Sequence, residues 1–185
     1  MLTYAMDTAR EREGGQPLEN GQNTAMRIGQ EQEPIARMKY EARTGELVEE
    51  VGFAHTSDGK FGCSLDGLVL PSGAVEIKTQ VGSTSLFKSM VDGDISDYRD
   101  QCLMAMWLLR LNWVDLVLWC PDLNLLRVIR VDRDEAEIEQ FEADMLAFDK
   151  LVESYRVKLR AAIATCREID GSDWTDEDPD AASAE

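Results

Sequence analysis

The sequence predicts an α/β or α+β sandwich with a mixed central sheet flanked by helices. Three observations predict it: helix-period segments near both ends of the chain, two pairs of short strand-like runs joined by turn residues, and an apolar helical stretch between those pairs. In order, the elements read helix, three strands, helix, two strands, helix, with no internal repeat.

After a polar, glycine-containing stretch from Glu13 to Asn23, Thr24 to Thr44 (TAMRIGQEQEPIARMKYEART) has helical composition. Its spacing places Ala25, Ile28, Ile35, Met38 and Ala42 on the buried side. Proline costs about 3 kcal/mol inside a helix, so a helix begins or kinks at Pro34; Gly45 follows at a helix end. Strand-like segments come next, Val48 to His55, Phe61 to Leu70 and Ala74 to Lys78, the last two joined by Pro71-Ser72-Gly73, which has hairpin-turn chemistry. Ser96 to Leu111 is helical, and its apolar positions cover most of the circumference near its end, as a central helix requires. Val114 to Cys120 and Leu125 to Val131 form a second strand pair across Pro121-Asp122-Leu123-Asn124. Asp134 to Ile163 is a long amphipathic helix in which Ile138, Phe141, Met145, Phe148, Val152, Tyr155 and Leu159 recur at steps of three and four.

With 185 residues, 44% hydrophobic and 30% charged, the chain suits one core, expected over residues 1–169. Apolar runs such as Val114 to Cys120 fall well short of the roughly 20 residues of a spanning helix, and the opening MLTYAMDTARER lacks a signal-peptide core. The expectation is a soluble, cytoplasmic protein with no membrane association. The four cysteines lie far apart and are expected as free, mostly buried thiols. A single histidine, His55, argues against histidine-rich metal sites and against Ser-His or Cys-His catalysis. The net charge of -17 opposes nucleic-acid binding over the general surface. Residues 170–185 (DGSDWTDEDPDAASAE) hold seven acidic residues and no basic one, the composition of a disordered tail. The rest is still acidic, so any basic surface is confined to a patch or channel.

The run Ser64 to Gln80, SLDGLVLPSGAVEIKTQ, concentrates the chemistry. On a hairpin, Asp66 falls on the first strand, while Glu76 and Lys78 share a face of the second because strand side chains repeat every two residues. Two close carboxylates repel unless a cation lies between them. A hard divalent metal resolves this, with the Ile77 carbonyl as a further ligand and Lys78 beside it to orient a water or stabilise charge on a phosphate. A plain surface hairpin in which Glu76 and Lys78 merely pair is the other reading.

The stretch S-x-D-G followed by E-I-K resembles the core of the PD-(D/E)XK nuclease superfamily, and specifically the phage lambda exonuclease and YqaJ-type viral recombinase family. Gly29-Gln30-Glu31-Gln32-Glu33 with Ala36-Arg37 resembles the family's helix motif, whose metal-associated glutamate falls on Glu33. Tyr98-Arg99-Asp100-Gln101, followed by Trp107, resembles the next helix, where a tyrosine and a glutamine approach the active site. Trp119-Cys120-Pro121-Asp122 and Val131-Asp132-Arg133-Asp134 resemble the closing hairpin and the entry to the last helix. The similarity runs from about Thr24 to Phe148. It implies a restriction-endonuclease-like fold and Mg2+-dependent hydrolysis of DNA, with Mn2+ as a substitute, removing nucleotides from the 5' strand of duplex ends. Asp66 and Glu76 hold the metal, Glu33 completes a second or water-bridged site, and Lys78 positions the attacking water. Two ions about 3.5 to 4 Å apart stabilise the entering and leaving oxygens.

The resemblance further implies a homotrimer ring around double-stranded DNA, working with a single-strand annealing recombinase as a phage or prophage protein in a bacterial host. A ring would gather basic residues in its channel, with Lys88, Arg99 and Arg110 available. Members carry an N-terminal segment whose arginine and serine or threonine contact the DNA end, and this chain begins roughly where that segment would finish. The alternatives are a RecB/Cas4-like nuclease, whose iron-sulfur cluster the dispersed cysteines disfavour, and a non-catalytic DNA-end-binding or assembly module of the same fold.

Overall fold

The computed structural model describes residues 2–17 and 24–170. They divide into two compact units, one within residues 20–146 and the other within 1–19 and 147–185. The first carries a four-stranded sheet in the order β3-β4-β5-β6, built from Gly67–Val69, Gly73–Thr79, Trp113–Cys120 and Leu125–Asp132. Only the central pair, β4 with β5, is parallel, with Glu76 opposite Leu116 and Lys78 opposite Leu118; the outer pairs are antiparallel. A parallel pair needs a crossover. Here it comprises α3 (Ser83–Ser85), a π-helical turn (Leu86–Val91) and α4 (Ser96–Leu109).

The two faces of the sheet have different covers. Ala74, Leu116 and Leu118 pack with Leu103, Met106 and Ile138 of the α4 side. Val75, Ile77, Val117 and Trp119, one residue out of phase, pack with Ala36 and Tyr40 of α2 (Thr24–Thr44). Strand β5 is therefore apolar almost without interruption, as a strand covered on both faces must be. Its exception, Asp115, is buried and accepts the Tyr40 hydroxyl (2.8 Å) and both arms of Arg130 (2.8 Å each). The Arg130 guanidinium lies 3.8 Å over the Trp113 ring.

Several expectations are corrected. Helix α2 does not begin at Pro34 but contains it, running from Thr24 to Thr44, and it buries Ala36 and Tyr40, whereas Ile35 and Met38 are 38% and 59% exposed. Ala36 admits the helix close to the sheet, and Tyr40 brings a hydroxyl to Asp115. Of the strand expected over Val48–His55, only β1 (Phe53–His55) forms, beside an isolated bridge from Glu49 to Leu68. The expected Phe61–Leu70 strand is two, β2 (Gly62–Ser64), which pairs with β1, and β3. Asp66 sits at the break between them rather than on a strand.

The second unit packs α1 (Leu2–Arg12) against the C-terminal part of α5 (Glu135–Asp170) through Ala5, Ala9 and Val152, with Tyr4 stacked on Phe148. Arg12 bonds Asp149, and Arg156 bonds Glu13. The apolar stripe read on α5 is its inward side here. All four cysteines are free; Cys102 and Cys120 are buried, Cys63 is half-buried and Cys166 exposed. Among the described residues, no helix is long and apolar enough to cross a membrane. Of the acidic tail expected over residues 170–185, Asp170 is the last residue of α5, and residues 171–185 lie outside the described residues.

Candidate active site

The site grows from the way β3 begins. Its ladder pairs Gly67, Leu68 and Val69 with Val75, Ala74 and Gly73, so the backbone N–H of Ile77 lies beyond the last pair. Asp66 completes it, since its Oδ2 accepts that N–H at 2.6 Å. A buried backbone donor needs such a partner. Two residues of alternation then put Glu76 and Lys78 on the α4 side with Ala74, and Ile77 on the α2 side. Glu76 is only 7% exposed, and Lys78 Nζ lies 2.7 Å from its Oε1.

Burial holds the Glu76 carboxyl above the usual carboxylate range; Lys78 offsets part of this, while the charges of Asp66 and Glu33 add to it. Glu33 on α2 is likewise raised by burial and by Asp66. Its Oε1 accepts Arg37 at 2.5 Å, and the other arm of Arg37 bonds Glu50. The three carboxylates thus lie within electrostatic reach of one another.

Tyr98 on α4 places its ring 6.0 Å from Lys78 Nζ, and its hydroxyl accepts the Gln80 amide at 3.3 Å. Gln101, one helical turn on, is exposed and lines a cleft of about 440 Å³ together with Cys63, Ser64, Glu76, Asp100 and Met104. Of the cations named from the sequence, Lys88 pairs with Asp97 and Arg99 grips Glu137 with two arms. Arg110, in the left-handed region at the end of α4, lines a different cleft with Asn112 and Arg133.

The donors suit a hard divalent cation in type: Glu33, Asp66 and Glu76 offer oxygens alone, and burial and carboxylate repulsion on Glu33 and Glu76 are only partly offset by Arg37 and Lys78. Among the described residues, no three His, Cys, Asp or Glu side chains stand close enough to hold an ion. Instead Glu33 turns to Arg37 and Glu76 to Lys78. The residue that sequence reasoning passed over is Gln80. It lies inside the EIKTQ run, but its contact with Tyr98 depends on the crossover bringing α4 over β4.

A family model for the YqaJ-like viral recombinase domain matches residues 1–109. Among solved structures, an alkaline exonuclease (LHK-Exo) from Laribacter hongkongensis is 31% identical with a TM-score of 0.77, over 89% of this chain and 85% of that one. LHK-Exo in complex with dAMP gives 32% and 0.76 over the same shares. A phage related exonuclease from Haemophilus somnus 129PT, 13% identical, superposes with a TM-score of 0.68 over 88% of this chain and 83% of its own, a likeness of fold alone. Comparison with curated proteins yields no match.

The mixed sheet with Asp66 at its strand break and Glu76 and Lys78 on its central strand is the core of a restriction-endonuclease-like, PD-(D/E)XK fold. Within that class, the chain belongs to the YqaJ-like viral recombinase family, a lambda-exonuclease-like family of nucleases.

Proposed function

We propose that this chain hydrolyses the phosphodiesters of duplex DNA ends in a divalent-cation-dependent reaction, proceeding from the 5' strand. The observation that carries this is Glu76, a buried carboxylate raised by burial and by two further carboxylates, with Lys78 at 2.7 Å as its neutralising partner. Such a cluster favours an added cation. LHK-Exo has been solved in complex with dAMP, which supports a nucleotide-containing substrate for this chain.

Glu76 and Asp66 would hold Mg2+ or Mn2+, with the Ile77 carbonyl beside them and Glu33 at a second ion. When bound, the cations polarise the phosphate and make water a nucleophile near neutral pH. Lys78, relieved of Glu76, orients the attacking water and stabilises the charge that develops on phosphate. Tyr98 backs Lys78, and Gln101 faces the substrate from the cleft.

We further propose a homotrimer ring, an annealing recombinase as partner, and a phage or prophage recombination role in the cytoplasm of a bacterial host. The test is digestion of linear duplex DNA carrying different labels on its 5' and 3' ends, with and without Mg2+. Loss of the 5' label as mononucleotides, only with the metal, is expected. Metal-independent cleavage, or release from the 3' end first, overturns the corresponding part.

A further inference from the structure

Gln80 stands just past the end of β4, where its backbone N–H still donates to the Trp119 carbonyl at 2.6 Å and extends the pairing with β5. Its side chain is placed less economically. The residue is 2% exposed, its Nε2 donates to the Tyr98 hydroxyl at 3.3 Å, and its buried Oε1 has no hydrogen-bond partner among the described residues. A buried amide carbonyl left unpaired costs stability, and an apolar side chain of the same volume would serve the fold as well or better. What the amide does hold is Tyr98, whose ring lies 6.0 Å from Lys78 Nζ. Lys78 has four rotatable side-chain bonds to restrain and is itself half-buried.

We infer that Gln80 is a positioning residue, which through the Tyr98 hydroxyl fixes the ring against which Lys78 is aligned with the reacting phosphate. Gln80 touches neither substrate nor metal. The inference rests on the proposed role of Lys78. A ring free to turn about its first side-chain bond would let the ammonium wander, and misplacement of a catalytic group lowers turnover rather than binding.

The test compares Gln80→Met, Tyr98→Phe and the double variant with the full-length parent, following kcat, KM for linear duplex DNA, Mn2+ affinity by calorimetry, and thermal stability. Gln80→Met is expected to lower kcat about fivefold, the worth of one hydrogen bond, with KM and Mn2+ affinity unchanged. Its melting temperature should equal or exceed that of the parent, an outcome opposite to that of a structural role. Tyr98→Phe, which removes the other end of the bond, should give the same loss, and the double variant no more than either.

Parent-like kcat in Gln80→Met, additive losses, or a lower melting temperature with kcat intact overturns the inference. If Gln80→Met does not fold, parent-like turnover in Tyr98→Phe overturns it alone. Lys78→Gln keeps the two levels apart: full turnover in that variant refutes the proposed chemistry, whereas its inactivity beside a parent-like Gln80→Met refutes only the positioning role.

Discussion

Asp66 combines a candidate ligand with a structural hydrogen bond, and substitutions can separate them. Asp66→Ala leaves the Ile77 N–H without its acceptor and should cost about 1–3 kcal/mol of stability. Asp66→Asn keeps an acceptor oxygen and should retain most of it. Both should lose cleavage, measured as acid-soluble nucleotide from linear duplex, because neither presents a carboxylate to a cation. Activity in Asp66→Asn would exclude a ligand role. Glu76 behaves differently, because its folded-state pKa is raised above the ordinary 4.5 by burial. A raised carboxyl is at its most favourable protonated, so stability is greatest below 4.5 and is lost as pH rises through the folded-state value. Without divalent ions, Glu76→Gln should therefore be at least as stable as the parent at pH 7, and the difference should close on acidification. Denaturant titrations at pH 4 and 7 measure it, and a parent that gains stability towards pH 7 relative to Glu76→Gln contradicts the assignment.

At the scale of elements, the Tyr40–Asp115–Arg130 set ties α2, β5 and β6 together inside the α2 face. Tyr40→Phe should cost about 1 kcal/mol by chemical denaturation, since Arg130 still satisfies Asp115. Gly73 opens β4 directly beneath Trp113, where a Cβ would lie 2.2 Å from the ring. Gly73→Ala must displace that ring and its stacked Arg130, at about 1–3 kcal/mol. A parent-like melting temperature would show that the stack moves freely. These elements also show what the sequence can carry. The second strand pair and the central helix were legible from apolar runs that match burial on more than one face, and the last helix from its steps of three and four. The shared face of Glu76 and Lys78 was legible because a two-residue period fixes a face once a strand is recognised. The buried side of α2 was not, since hydrophobicity favoured Ile35 and Met38, whereas packing chose the small Ala36 and the hydrogen-bonding Tyr40. The break at Asp66 was hidden too, because Phe61–Leu70 is a continuous strand-like run whose interruption depends on an N–H belonging to another strand. Helix α1 and the π-helical turn were not read as elements, and the place of Gln80 depends on contacts that only the assembled crossover creates.

For the molecule as a whole, net charge governs encounter with a polyanion. Removing residues 170–185 deletes seven acidic side chains and no basic ones. DNA association should then quicken at low salt, with the gain fading as the Debye length shrinks to about 10 Å at 0.1 M. Stopped-flow binding across a salt series checks this, and a rate unchanged at low salt counts against a long-range repulsive role. The parallel register of β4 with β5 bears on the order of events during folding. The β3–β4 hairpin closes over a few residues, whereas Glu76 and Lys78 meet β5 only after the chain has laid down α3, the π-helical turn and α4. Local closure is fast, and long-range parallel pairing is slow. Lys78 thus acquires its Tyr98 wall in the same late step that sets the central pair, so a refolding chain has its hairpin carboxylates in place while its lysine is still unguided. Catalytic competence should be among the last properties to return.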